Sequence, residues 1–318
     1  MNVDDFVEKN KILECVCGST AYGFATPESD EDIRGLTIPP VEYVIGLERF
    51  DQREYSETDK VIYGLKKFVD LAIDNNPNII ELLYMPEKHI RFIDEWGEML
   101  VAHAHLFLSK KAKMTFSGYA ISQLKRIQRH KRWIDNPPAK PNPMDFEFKR
   151  YMILREDPEN GNFMPTKTEK YNYDKHEGSK WVEKGISSEY DARLKEHNLY
   201  KEWQKNRNPK RHEIEEKFHY DTKHAAHLVR LLRMGMEILR DGKVYVDRRD
   251  VGDAEEFRAI RKGSMTYDEI LEYAEKAELE LNDLYEKNTT LQHSADRVAI
   301  NKLYMDIVCG KLGIKYGL

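Results

Sequence analysis

The 318-residue sequence predicts an α+β fold, with a sheet-bearing N-terminal core over residues 1–108 and a larger helical domain over residues 109–318. Three observations point there. Short apolar runs bounded by Gly and Pro recur in the first part of the chain, and these read as strands. From Lys110 onward, apolar residues instead recur at spacings of three and four, the period of a helix. The composition, 34 % charged and 40 % hydrophobic, suits a polar, helix-rich chain long enough for two domains.

Val3 to Glu8 is a short amphipathic helix, followed by a strand over Ile12 to Cys17. Gly18-Ser19 turns the chain, and Thr20-Ala21-Tyr22 opens a helical turn. The N–H groups of such a turn lack partners and favour an anion; Gly18 admits a close approach and the Ser19 hydroxyl adds a donor. Asp30 and Asp32 then lead into a strand over Ile33 to Ile38. Alternation along that strand places Asp30, Asp32 and Arg34 on one face and Glu31, Ile33 and Gly35 on the other. Two carboxylates opposite an anion-binding turn are what a Mg2+ or Mn2+ ion bridging to a nucleoside triphosphate needs. An acidic surface turn is the bland alternative.

The string Gly18-Ser19-Thr20-Ala21-Tyr22-Gly23, followed by Ser29-Asp30-Glu31-Asp32-Ile33-Arg34-Gly35, resembles the signature of the DNA polymerase β-like nucleotidyltransferase superfamily. Within it, the string is similar to a group of bacterial and phage nucleotidyltransferases, some associated with RNA-repair ligases. The resemblance implies a mixed-sheet nucleotidyltransferase core, an NTP substrate, and Asp30 and Asp32 as metal ligands, with Gly18, Ser19 and Arg34 on the nucleotide side. It also implies a third carboxylate on a later strand, for which Glu54, Glu57 and Asp59 are candidates. The run Asp59 to Phe68 matches the group's pattern best, so Asp59 is taken as the third catalytic and metal-binding residue. An exposed strand-edge Asp is the alternative.

Pro39-Pro40 ends the second strand, since proline cannot donate to a ladder. Val41 to Phe50 takes no assignment. Glu54 to Tyr63 reads as a third strand and Leu65 to Ile73 as a helix. Asn76 and Pro77 read as the N-cap and first residue of another helix, so the string from Asn76 to Glu81 is taken as capping rather than chemistry. Phe92 to Leu108 has helical spacing and closes the core.

Lys110 to Trp133 is helical and basic, and the Pro-rich run Asn136 to Pro143 stops it. Residues 1–100 carry 10 Lys/Arg against 21 Asp/Glu, a balance of −11, whereas residues 110–150 carry 11 against 3, a balance of +8. A basic helix after an acidic, metal-binding module can face a triphosphate or an RNA backbone; a solvated helix face is the alternative. Residues 155–185 read as a polar insertion or loop, and Ser187 to Asn206 as a helix.

The second informative stretch is Tyr220-Asp221-Thr222-Lys223-His224-Ala225-Ala226-His227-Leu228-Val229-Arg230. Lys223, His227 and Arg230 share one helix face with His224 beside it, while Ala225, Leu228, Leu232 and Met236 line the packing side. Polar groups this dense on a core helix need partners, and a phosphate or base would serve. Helix–helix hydrogen bonding or a His-x-x-His metal site are the alternatives. This string is also similar to the group's pattern, which extends the resemblance from about residue 12 to residue 300. Helices over 257–262, 267–285 and 296–312 complete the chain.

The remaining properties narrow the setting. No run approaches the roughly 18 apolar residues of a membrane helix, the acidic N-terminus lacks the apolar segment of a signal peptide, and Cys15, Cys17 and Cys309 form no disulfide framework. A cytoplasmic, reducing compartment is expected, with no membrane partner. The expected activity is transfer of an NMP from an NTP to an acceptor hydroxyl with release of pyrophosphate, an RNA end being one acceptor. A protein or small-molecule acceptor, or a catalytically silent nucleotide-binding module, are the rivals.

Overall fold

In a computed structural model, residues 2–26, 29–142, 145, 150–156, 163–167, 181–186, 188–207 and 209–315 are described. The chain divides into two compact units, one of residues 1–128 with 220–318 and one of residues 129–219.

In the first unit, helix α1 (Val3–Lys9) turns Phe6 and Val7 inward and leads into strand β1 (Lys11–Val16), five of whose six residues are buried. The short helix α2 (Gly18–Ala21) follows directly, and strand β2 (Ile33–Thr37) returns antiparallel to β1. After helix α3 (Val41–Val44) come strands β3 (Gln52–Tyr55) and β4 (Lys60–Gly64), then helices α4 (Leu65–Ile73) and α5 (Pro77–Ile80). Strand β5 (Ile90–Ile93), helix α6 (Glu95–Ala102) and the long helix α7 (Lys111–Asp135) complete the first pass. The sheet order is β3-β4-β2-β1-β5, and β2–β4 is its parallel pair, so the sheet is mixed, as expected.

Two expectations are corrected here. Glu54 to Tyr63 is not one strand but a hairpin: Thr58 N donates to Tyr55 O, and Asp59 takes a left-handed φ of 45°. The polar run Ser56-Glu57-Thr58-Asp59 consists of turn formers, and their local hydrogen bonding overrides the strand period. Phe92 to Leu108 is not one helix either. Phe92 belongs to the edge strand β5, and Asp94 then caps α6 by accepting from Trp96 N and Gly97 N, both at 3.0 Å.

In the second unit, strands β6 (Arg150–Glu156), β7 (Phe163–Lys167) and β8 (Trp181–Ile186) form an antiparallel sheet of order β7-β6-β8. The polar stretch read as an insertion or loop therefore contains strands; its residues 157–162 and 168–180 lie outside the described residues. Helix α8 (Ser188–Asn206) matches its expected range, and helix α9 (Pro209–Phe218) follows it. Trp133, Tyr200 and Trp203 pack together here, with ring centroids 5.5–5.9 Å apart.

Back in the first unit, helix α10 (Thr222–Asp241) buries residues on nearly every side, including the polar Arg230. Helices α11 (Ala254–Arg261) and α12 (Tyr267–Lys287) pack on it, and α13 (Arg297–Leu312) packs on α6. Among the described residues, no helix is long and apolar enough to cross a membrane.

The join between α4 and α7 rests on Asn75, which is fully buried with φ 52°. Its Nδ2 donates to Phe107 O at 2.7 Å, and its Oδ1 accepts from Ser109 N at 3.0 Å. Asn is among the few side chains that tolerate this conformation and also satisfy two buried backbone groups. Asn75→Ala is expected to cost about 3 kcal/mol, the desolvation penalty of the orphaned groups. Thermal or denaturant unfolding measures this, and a loss below about 0.5 kcal/mol, the range of an ordinary surface substitution, would contradict it.

Candidate active site

The candidate site begins where β1 ends. Gly18 adopts φ 63°, and a Cβ placed on it would lie 1.9 Å from Asp32 Oδ2. Glycine is required on both counts, and the result is that the turn's backbone lies directly against the Asp32 carboxylate. Cys17 N donates to Asp32 O at 2.8 Å, tying the turn to the approach of β2. Ser19 sits half-buried in the first turn of α2, where backbone N–H groups lack intrahelical acceptors.

Asp30 is exposed and Asp32 half-buried, both just ahead of β2 rather than within it. Among the described residues, neither carboxylate has a hydrogen bond or ion pair to its side chain. Asp59 lies in the β3–β4 turn, where its carbonyl accepts from Ile33 N at 3.1 Å and from Arg34 Nη1 at 3.4 Å. The parallel register pairs Ile33 with Lys60, so Asp59 comes next to the end of β2 that Asp32 leads into. The three carboxylates do not bring their oxygens within 4.8 Å of one another. The donor set still suits Mg2+ or Mn2+, because such ions keep several waters and need only one or two carboxylates plus substrate phosphates.

The register also pairs Arg34 with Val61 and Val61 with Glu54, which places these residues on one sheet face. With Asp59, Lys60 and Tyr63 they line a recess of about 370 Å³.

The α10 residues divide by burial. Lys223 is exposed, and His224 is half-buried with Nδ1 2.8 Å from Gln123 Oε1 of α7. Arg230 is 1 % exposed and meets a protein partner rather than open space: its Nη1 pairs with Glu81 Oε1. Its guanidinium carbon lies 3.8 Å from the centroid of the Tyr22 ring, and Tyr22 OH donates to Glu81 Oε2 at 2.7 Å. Burial opposes the Arg230 charge, but Glu81 and Tyr22 outweigh it and hold the group firmly protonated. Arg230 Nη2 lies 3.1 Å from His227 Nδ1. An arginine only donates, so Nδ1 accepts and the proton of the neutral ring sits on Nε2. Burial first, then Arg230, His224, Lys223 and Arg126, push the His227 pKa down to about 3.

The segment after the turn is clamped from the C-terminal part of the chain. Arg248 N donates to Tyr22 O, Arg258 Nη2 to Gly23 O at 2.7 Å, and Phe24 stacks on Phe257 at 5.5 Å. Tyr22, Glu81 and Arg258 were not among the site residues read from the sequence. Glu81 stood in the string taken as capping; Asn76 and Pro77 do cap α5, but Glu81, buried on the next turn, has a separate electrostatic role.

His227 also sets a pH dependence. Its folded pKa of about 3 lies below the 6.5 of the unfolded chain, so the unfolded state binds more protons between these values. The stability tied to the neutral ring is complete above pH 6.5 and is lost as pH falls toward 3. At pH 5 that loss is about 2 kcal/mol. His227→Gln is expected to show a shallower fall in Tm between pH 7 and pH 5 than the wild type; parallel curves would refute this reading.

Comparison with known proteins agrees with this architecture. Residues 4–155 match the family RlaP, the RNA repair pathway DNA polymerase beta family. An uncharacterized 38.9 kDa protein from the nrdC-mobD intergenic region of Enterobacteria phage T4 is 27 % identical over 88 residues. That match spans 24 % of this chain and 26 % of the phage protein. No solved structure matches the chain. The matched residues include the Gly18–Ser19 turn, the Asp30/Asp32 pair and the mixed sheet, so over residues 4–155 the chain is similar to the RNA repair pathway DNA polymerase beta family.

Proposed function

We propose that this chain is a metal-dependent nucleotidyltransferase that moves an NMP from an NTP to an acceptor hydroxyl, with an RNA end as the acceptor. The observation that carries this reading is the contact between the Gly18 backbone and the Asp32 carboxylate, which sets a phosphate-type turn against hard oxygen ligands. In the proposed reaction the acceptor oxygen bonds to the α-phosphorus and the bond from that phosphorus to the oxygen bridging to the β-phosphate breaks. Pyrophosphate leaves, and the hydroxyl proton passes to a carboxylate, for which Asp59 is the candidate.

In this reading Gly18 and Ser19 hold the β- and γ-phosphates through backbone N–H groups and the Ser19 hydroxyl. Asp30 and Asp32, with Asp59, would hold Mg2+ or Mn2+, which when bound neutralises phosphate charge and stabilises the attacking and leaving oxygens. Arg34, at the mouth of the β2–β4 recess, and Lys223, His224 and His227 on α10 supply donors for the nucleotide. The RNA acceptor is favoured by the family's RNA-repair context and by the +8 balance of residues 110–150. Several of those cations are committed within the protein, Lys111 to Asp74 and Lys113 to Glu278 among them, which leaves Lys125 and Arg126 as the exposed pair on that helix in the first unit.

The test is incubation with each α-labelled NTP and Mg2+ or Mn2+, with tRNA, short RNA and the protein itself as acceptors. Label on RNA with release of pyrophosphate is expected, weakening as salt rises because phosphate contacts release counterions. Label on the protein or on a small molecule would move the acceptor; no turnover despite NTP binding would favour a silent nucleotide-binding module. Asp30→Asn and Asp32→Asn are each expected to lower turnover by more than about a hundredfold, the upper end seen for residues that merely support metal ligands. Their circular dichroism should match the wild type, since neither side chain is tied into the fold. Retained activity would sink the assignment.

A further inference from the structure

Tyr22, Glu81, His227 and Arg230 come from three separate parts of the chain and meet in one network, buried at Glu81 and Arg230 and half-buried at Tyr22 and His227. Arg230 is its hub: Nη1 on Glu81 Oε1, Nη2 on His227 Nδ1, and the guanidinium face on the Tyr22 ring. Glu81 is 4 % exposed, and its second oxygen accepts from Tyr22 OH. Tyr22 is the residue that closes the phosphate turn, since its N–H donates to Gly18 O at 3.1 Å. The network therefore reaches the turn at one end and His227 at the other.

The His227 ring has one nitrogen committed. Nδ1 accepts from Arg230, so Nε2 carries the proton, and no described residue accepts from it. Its surroundings are cationic. Lys223 and His224 are its neighbours one turn back on α10, and the Gln123–His224 contact brings α7 alongside, with Arg126 one turn beyond Gln123. A donor left unpaired among positive groups fits an anion.

We propose that Arg230, held by Glu81, is a positioning residue that fixes the Tyr22 end of the phosphate turn and orients the His227 ring so that its Nε2–H binds a phosphate oxygen of the nucleoside triphosphate. This inference rests on the proposed function and adds Tyr22 and Glu81 to the residues on which NTP binding depends. His227 acts as a neutral, pre-oriented donor, and its cationic neighbours Lys223 and Arg126 supply charge. Arg230 never touches the nucleotide; it sets the tautomer and direction of the group that does.

The test exploits the difference between the two ring nitrogens. In His227→Gln the side-chain amide reaches the place of Nε2, whereas in His227→Asn it reaches only that of Nδ1. Binding of each of the four NTPs with Mg2+ to the full chain would be measured by equilibrium dialysis. His227→Gln should stay within about threefold of the wild type, and His227→Asn should bind about tenfold more weakly, the worth of one hydrogen bond to a charged group.

At the other end, Tyr22→Phe removes one hydroxyl and keeps the ring under Arg230. It should raise KM for the NTP and lower Tm modestly, because Glu81 Oε2 loses its donor while the fold is kept. Arg230→Met alone strands the Glu81 charge and can fail to fold. The double variant Glu81→Gln with Arg230→Met avoids that stranded charge; it should fold, yet bind NTP at least about tenfold more weakly, as expected when the His227 hydrogen bond is misdirected. Wild-type protein that binds NTP, together with His227→Asn, Tyr22→Phe and the double variant that bind it equally well, would overturn this inference alone. Wild-type protein that binds no NTP would overturn the proposed function, and this inference with it.

Discussion

The ion pair between Arg230 and Glu81 is the constraint on which the packing of α10 near the Gly18 turn depends. Both groups are almost completely removed from water. Burying two such charges costs several kcal/mol each, and their attraction offsets this only when geometry is good and the remaining polar atoms are matched. Here they are matched. Glu81 accepts from Arg230 and from Tyr22, and Arg230 donates to Glu81 and His227 while its face lies on an aromatic ring. A network with this many conditions admits few alternative arrangements of α10 against the Gly18 turn. Its contribution is specificity of placement more than net stability.

The same logic runs through the rest of that region. Arg248, 1 % exposed, is held by Glu237 and Asp253, and its backbone N–H anchors Tyr22 O. Asp247, fully buried at its side chain, is matched by Arg249 and Lys88, which hold its carboxyl far below the usual range despite burial. Charged residues of the C-terminal helices thus support the segment after the Gly18 turn from several directions. By contrast, Asp30 and Asp32 have no side-chain partners among the described residues.

The charge balance gains a structural meaning in this light. The −11 of residues 1–100 includes carboxylates with quite different tasks: Glu8 and Glu14 bind Lys11 and Lys60 on the sheet, Asp94 caps α6, and Asp4 holds Arg53. Others, Asp30 and Asp32 among them, have no side-chain partner among the described residues. Counting charges could not separate these groups, because sign and number say nothing about which residues are already neutralised within the fold.

Much of the core was legible in the sequence because its signals are local. The period of Ile12 to Cys17, the Gly18-Ser19 turn and the Asn76-Pro77 cap each depend on a few consecutive residues, and each has its expected local form in the structure, whereas Asp30 and Asp32 lie ahead of β2 rather than on its face. The hairpin at Asp59 departs from the expected single strand because the turn formers Ser56 to Asp59 interrupt it, and the strand at Phe92 departs from the expected helix because a short apolar run fits either until its pairing partner is known. The partner of Arg230 was illegible for a stronger reason. The sequence established that a polar group on a core helix must be satisfied, but Glu81 lies 149 residues away and could be joined to it only by the packing of α10 near the Gly18 turn. The sequence by itself determined the fold class and the turn at Gly18, since backbone chemistry and residue spacing encode them. The tertiary structure alone decided which charges are spent on partners inside the protein, because burial and pairing are properties of the packed chain.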